Sequence, residues 1–159
     1  PDGTEVMSIR NIDHVNIVVS DLERSARFYT ELLGFKETRR ARLSGAWIEA
    51  IVGLAGVDAG VVYVQPPGEG PRIELLCYRS PKGASFAENA QANTVGLRHI
   101  AFRVDDMDVV CRQLAKAGVE FIGAPTVVPS GVVKHDEGRK RLCYFRDPDG
   151  VLLELAEYT

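Results

Sequence analysis

Hydrophobic and polar positions alternate from Asp13 to Val19, with Val15, Ile17 and Val19 on one side and His14, Asn16 and Val18 on the other. A period of two predicts a strand. From Ser20 the period lengthens: Leu22, Ala26, Tyr29 and Leu33 recur at helical spacing, Ser20 and Glu23 have the spacing of a capping box, and Gly34 suits a left-handed C-cap. The same switch returns from His99. Ile100, Phe102 and Val104 alternate with His99, Ala101 and Arg103, and then Met107, Val110, Leu114 and Ala117 form a helical stripe ending at Gly118.

The two stretches are copies of one unit. His99 follows His14 by 85 positions (99 − 14), Asp106 follows Asp21 by the same 85 (106 − 21), and Gly118 follows Gly34 by 84 (118 − 34), a single deletion in the helix. A second pair of segments repeats as well: PRIELL around Glu74 matches VLLELA around Glu154, with Gly70 and Gly150 standing before each glutamate at the same interval. Further strand-like runs are Trp47–Val52, Gly60–Gln65 and Arg72–Cys77 in the first half. In the second they are Phe121–Val128, Arg141–Arg146 and Val151–Ala156. Pro66–Pro71 and Asp147–Gly150 read as turns.

The expected architecture is α+β: two tandem βαβββ modules forming a curved, cupped mixed sheet with helices on its outer face. The expected boundaries are a flexible tail over 1–9, a first module over 10–78, a connecting loop over 79–96 with a helical turn near Phe86–Ala90, and a second module over 97–159, together one domain.

Composition narrows the function classes. The 159 residues are 45% hydrophobic, enough for a core, and the net charge of −3 with scattered Lys and Arg argues against nucleic-acid and anionic-membrane partners. No apolar run approaches the roughly 20 residues that span a bilayer, and the N-terminus lacks the features of a signal peptide, so a cytoplasmic location is expected. Cys77, Cys111 and Cys143 lie far apart and fit no zinc or redox motif, which points to reduced, buried thiols.

Candidate chemistry follows from the duplication. If Ile73, Leu75, Leu153 and Leu155 face the helices, then Glu74 and Glu154 face where His14 and His99 face. Two imidazoles and two carboxylates form a borderline-hard ligand set suited to Ni, Co, Mn, Fe or Zn, with positions left for substrate. His135, in the basic loop Ser130–Arg141, has no counterpart in the other copy and is not counted among the ligands. That loop is a candidate lid or phosphate clamp beside the plainer reading of a solvated loop.

With DHVNIVVSDLERSARFYTELLGF, GLRHIAFRVDD and YFRDPDGVLLEL in this order, the chain resembles the vicinal oxygen chelate superfamily, the glyoxalase and bleomycin-resistance fold, over nearly everything from Ile12 to Tyr158. The resemblance implies one divalent metal ion held by His14, Glu74, His99 and Glu154, a small-molecule substrate with vicinal oxygens, and a homodimer. The order His, Glu, His, Glu is similar to bacterial glyoxalase I. The segment GLRHIAFRVDD is similar to methylmalonyl-CoA epimerases, which carry glutamine where Glu74 stands. The expected activity is that of a metal-dependent lyase or isomerase moving a proton next to a chelated carbonyl, with Glu154 as first candidate base and Glu49 as second. Asn16, Arg103 and Trp47 are candidate substrate contacts. Two alternatives stand beside it: an extradiol-type dioxygenase, whose triad of two histidines and one glutamate Glu74 would overfill, and a metal-free antibiotic-binding protein, a branch that lacks the four ligands.

Overall fold

The computed structural model describes residues 9–85, 87, 90–131 and 138–159. His135, most of the turn expected over 86–90 and nearly all of the tail expected over 1–9 lie outside the described residues. The elements run β1 (His14–Val18), α1 (Leu22–Arg27) continued by a π-helical turn (Phe28–Leu32), β2 (Lys36–Ser44), α2 (Ala46–Val52), β3 (Asp58–Gln65), β4 (Arg72–Ser80), β5 (His99–Val104), α3 (Met107–Lys116), β6 (Thr126–Val127), β7 (Lys140–Arg146) and β8 (Leu152–Tyr158). They build two four-stranded mixed sheets, β1-β4-β3-β2 and β5-β8-β7-β6, in which the first and last strands of each repeat pair in parallel and the other pairs are antiparallel. This is the α+β duplication that the repeat predicts.

The chain divides into two compact units. One comprises the chain up to Leu22 together with Gly34–Pro81, and the other comprises Glu23–Leu33 together with Lys82–Thr159. In the first unit the alternation holds, with Ile17, Val19, Val62, Val64, Ile73 and Leu75 buried on one face. On the other face Ile48 of α2 packs with Val57, Ala59, Val61 and Leu76, flanked by Ala41, Leu43, Val52, Tyr63 and Tyr78. In the second unit Phe145, Leu153 and Leu155 of the sheet are buried, as are Met107 and Leu114 of α3.

Two expectations are corrected. Trp47–Val52 is not a strand but helix α2, whose Ile48 and Val52 point to the core while Trp47 and Ile51, one position out of phase, are exposed at 57% and 71%. A short apolar run carries no reliable period, and Gly53, at φ 70°, ends the helix with its N–H on the Glu49 carbonyl at 2.9 Å. The strand that belongs to the sheet is β2, KETRRARLS, an almost wholly exposed edge strand paired with β3 from Lys36↔Gln65 to Ser44↔Asp58. The run expected over Phe121–Val128 pairs only at Thr126–Val127 and at an isolated Phe121↔Phe145 bridge, because Gly123 and Pro125 interrupt it and proline has no N–H to offer a ladder.

Two buried carboxylates organise the second unit. Glu157 accepts from the Met107 N–H at 2.7 Å and from Arg141 Nη1 at 3.2 Å, so a charge taken from water meets both the helix N-terminus and a guanidinium. Asp106 completes that cap by accepting from the Val109 N–H at 2.9 Å. Asp147 opens the DPDG turn, accepting from the Asp149 and Val151 N–H groups at 2.9 Å through Oδ1 and from the buried Tyr29 hydroxyl at 3.0 Å through Oδ2. Burial is the largest influence on Asp147 and raises its pKa. All three cysteines are free thiols; Cys143 is buried, with its pKa pushed up to about 12 by desolvation, and Cys77 and Cys111 are half-buried.

Replacing Tyr29 by Phe keeps the ring and strips Asp147 Oδ2 of its donor. We expect a loss of about 1–3 kcal/mol in urea denaturation with an unchanged m-value; a variant as stable as the parent would show that this hydrogen bond contributes nothing.

Candidate functional site

In the first unit the register sets Asn16, Glu74 and Tyr63 side by side across β1, β4 and β3. Asn16 Nδ2 donates to Glu74 Oε1 at 2.8 Å, and the Tyr63 hydroxyl donates a short hydrogen bond to Glu74 Oε2. Both carboxylate oxygens are therefore oriented. His14, one step along β1 on the same face, places Nε2 3.9 Å from Glu74 Oε2, while its Nδ1 is 2.7 Å from Asp13 Oδ2. An imidazole that donates from Nδ1 to a carboxylate keeps its Nε2 lone pair for a ligand bond. Arg72 Nη2 reaches the same Asp13 oxygen at 2.9 Å, and its guanidinium lies 4.7 Å from the centroid of Tyr63. The hydrogen bonds from His14 and then from Arg72 hold Asp13 below the usual carboxylate range. Tyr63 is pushed up to about 12, by burial first and then by its hydrogen bond to Glu74, so it remains a donor at neutral pH.

The second unit repeats the arrangement. Glu154 stands between Ala101 and Tyr144 across β5, β8 and β7. His99 Nε2 lies 3.6 Å from Glu154 Oε2, and His99 Nδ1 lies 3.4 Å from the Tyr144 hydroxyl. Burial, followed by the charge of Glu154 and a hydrogen bond to it, raises the pKa of Tyr144. The difference lies at Ala101, which has no amide to offer where Asn16 stands in the first copy. Glu154 consequently has a tyrosine partner but lacks the second side-chain grip that holds Glu74.

Each predicted histidine thus meets its predicted glutamate inside its own unit. Among the described residues no group of three or more His, Cys, Asp and Glu side chains stands together as a metal site. The separations of 3.9 and 3.6 Å suit a pair of ligands. Two donors in adjacent positions on one ion at about 2.1 Å stand about 3 Å apart, so each pair needs to close by less than 1 Å.

The other candidates are placed differently. Asn16 holds Glu74 rather than an open space. Glu49 lies in α2, not on a strand, and its Oε1 accepts from the Gly56 and Val57 N–H groups at 2.8 and 3.2 Å, which closes the turn into β3. Trp47 lies on the outward side of the same helix. Arg103 stays on the Glu154 side of β5, with its guanidinium 4.9 Å from the centroid of Tyr158. The tyrosines carry only a weak signal in the sequence: Tyr63 precedes Glu74 by 11 positions (74 − 63) and Tyr144 precedes Glu154 by 10 (154 − 144). Proline- and glycine-containing turns of different length separate the members of each pair, which hides the correspondence from a fixed offset. No helix of the described residues is long and apolar enough to cross a membrane.

Known proteins share this organisation. A glyoxalase family protein from Bacillus cereus superposes with a TM-score of 0.81 at 29% identity, covering 97% of each chain. A probable lactoylglutathione lyase from Vibrio cholerae is 30% identical over 95% of this chain and 93% of its own length. A 2-epi-5-epi-valiolone epimerase from an Actinomyces species is 26% identical over 91% of this chain and 77% of its own length. The profile of the Glyoxalase/Bleomycin resistance protein/Dioxygenase superfamily matches residues 11–155, and the chain belongs to that superfamily.

Proposed function

We propose that this protein is a divalent-metal-dependent lyase or isomerase that moves a proton alpha to a carbonyl, with His14, Glu74, His99 and Glu154 as the metal ligands. The observation that carries the reading is the repeated pairing of an imidazole Nε2 with a carboxylate oxygen at 3.9 and 3.6 Å, each backed by a tyrosine. Relatives named as a lactoylglutathione lyase and an epimerase support proton-transfer chemistry. Two equivalent glutamates disfavour the ring-cleaving alternative, which uses one. When bound, the ion would polarise a substrate carbonyl and acidify the adjacent C–H.

The chain's own groups divide the remaining work. Glu74 is fixed through both oxygens and serves as a permanent ligand. Glu154, beside Ala101 and without the amide that grips Glu74, would be the ligand with the freedom to take the substrate proton. Tyr63 and Tyr144 orient the two carboxylates as hydrogen-bond donors behind the ligands. Returning the proton to the same carbon from the other side gives epimerisation, and returning it to the neighbouring carbon gives isomerisation.

Calorimetric titration of the metal-stripped protein with Co(II) or Zn(II) is expected to give one ion per chain, with affinity falling more than about 100-fold in His14→Ala and in His99→Ala. Unchanged binding in both variants would remove the ligand assignment. In heavy water, the metal-loaded protein is expected to place deuterium alpha to the carbonyl of a thiohemiacetal or acyl-thioester substrate, and Glu154→Gln to slow that exchange by about 10²–10⁴-fold while Glu49→Gln leaves it unchanged. Oxygen consumption without deuterium incorporation would replace this function with oxygenase chemistry.

A further inference from the structure

His14 and His99 occupy equivalent places in the two copies, yet their Nδ1 atoms meet different chemistry. His14 Nδ1 lies 2.7 Å from Asp13 Oδ2, and an ionised carboxylate accepts hydrogen bonds but cannot donate one. The proton of a neutral His14 is therefore drawn to Nδ1, and Nε2, the atom 3.9 Å from Glu74 Oε2, is left with its lone pair. His99 Nδ1 lies 3.4 Å from the Tyr144 hydroxyl, a longer contact to a group that can donate or accept. Such a neighbour selects a tautomer far less firmly.

Asp13 does not hold the imidazole unaided. Its side chain is 73% exposed, so water competes for its oxygens, and an exposed pair of this kind contributes little by itself. Arg72 supplies the restraint: its Nη2 donates to the same Oδ2 at 2.9 Å, while its guanidinium lies 4.7 Å from the Tyr63 centroid. Tyr63 in turn donates to Glu74 Oε2, and the His14 ring stands edge-on to it with centroids 6.0 Å apart. The contacts thus run from His14 through Asp13, Arg72 and Tyr63 to Glu74, and tie the two members of the pair together from behind.

The second copy lacks both parts. Subtracting the strand offsets places Arg98 at the position of Asp13 (98 − 85) and Leu152 at that of Arg72 (152 − 80). The strand pairing agrees, since Arg72 lies opposite His14 as Leu152 lies opposite His99. A guanidinium has no acceptor for an imidazole N–H, and leucine has no polar side-chain atom. The same parallel ladder forms around both sets, so the fold itself does not require Asp13 or Arg72.

We infer that Asp13, braced by Arg72, is a positioning residue that holds His14 in the tautomer whose Nε2 is open to a ligand, and that it makes His14 the pre-set imidazole of the two. His99 settles into that tautomer only when a ligand binds. That the open Nε2 serves a metal ion rests on the function proposed above; the tautomer assignment does not.

Long-range nitrogen–proton NMR of the full chain, metal-free and at a pH about two units above the ordinary imidazole value, reads the tautomer of each ring. His14 is expected as the Nδ1–H form and His99 as a mixture. Asp13→Ala should turn His14 into a mixture while leaving the His99 signals in place, which also shows that the fold is intact. Arg72→Leu, the side chain found in the other copy, should act in the same direction to a smaller extent. Zn(II) affinity should fall about 10- to 100-fold in Asp13→Ala and by less in Arg72→Leu. A His14 tautomer that is unchanged in Asp13→Ala, or already mixed in the parent, would overturn the positioning role even where affinity falls. The expected tautomer change in a chain that takes up no Zn(II) would leave that role standing and overturn the proposed function instead.

Discussion

The parallel ladders β1–β4 and β5–β8 set where every functional side chain stands. Strand residues show alternate sides, so once His14 is paired with Arg72, the residues that share its face are determined: Asn16 on its own strand and Glu74 beside it on β4. The antiparallel partner β3 then adds Tyr63 to the same row. A one-residue slip would turn Glu74 into the buried face now occupied by Ile73 and Leu75, where a carboxylate would lose its water without gaining Asn16 or Tyr63. The apolar face thus holds the register, and the register holds the site.

The two copies show what that constraint leaves free. Histidine, glutamate and tyrosine recur in both rows, whereas the position beside the glutamate changes from Asn16 to Ala101. One missing amide separates a carboxylate gripped at both oxygens from one that is not, at the same place in the strand pairing. Further along the same face, Ala59, packed with Ile48 of α2, stands where the second copy has Lys140 beside Tyr158. In the first unit apolar packing occupies the row. In the second, Arg103 and Lys140 lie against the Tyr158 ring.

Much of this was legible before any coordinates. The alternation at His14–Val19 and His99–Val104, the helical stripe ending at Gly118 and the glutamates of β4 and β8 follow from short-range periods and from the repeat. β2 was not legible, because an exposed, charged edge strand such as KETRRARLS is held by its backbone ladder to β3 and by pairs such as Arg42 with Asp58 at 2.9 Å, neither of which leaves an apolar period. α2 is hidden for the opposite reason: its apolar residues suit a strand and a helix equally, and only packing against Val61 and Leu76 distinguishes them. Glu49 moved with it, from an expected place on a strand to the turn between α2 and β3.

By itself the sequence determined the duplication, the strand-to-helix order and which residue types share a face, since those depend on local period and on the identity of two copies. Only the tertiary structure decided that Tyr63 and Tyr144 stand behind the glutamates, that Asn16 holds Glu74 while Ala101 leaves Glu154 with its tyrosine but no amide, and that Arg103 and Lys140 meet at Tyr158. These depend on pairing between strands far apart in the chain, separated by turns of unequal length. No local pattern of apolar and polar residues encodes that distance.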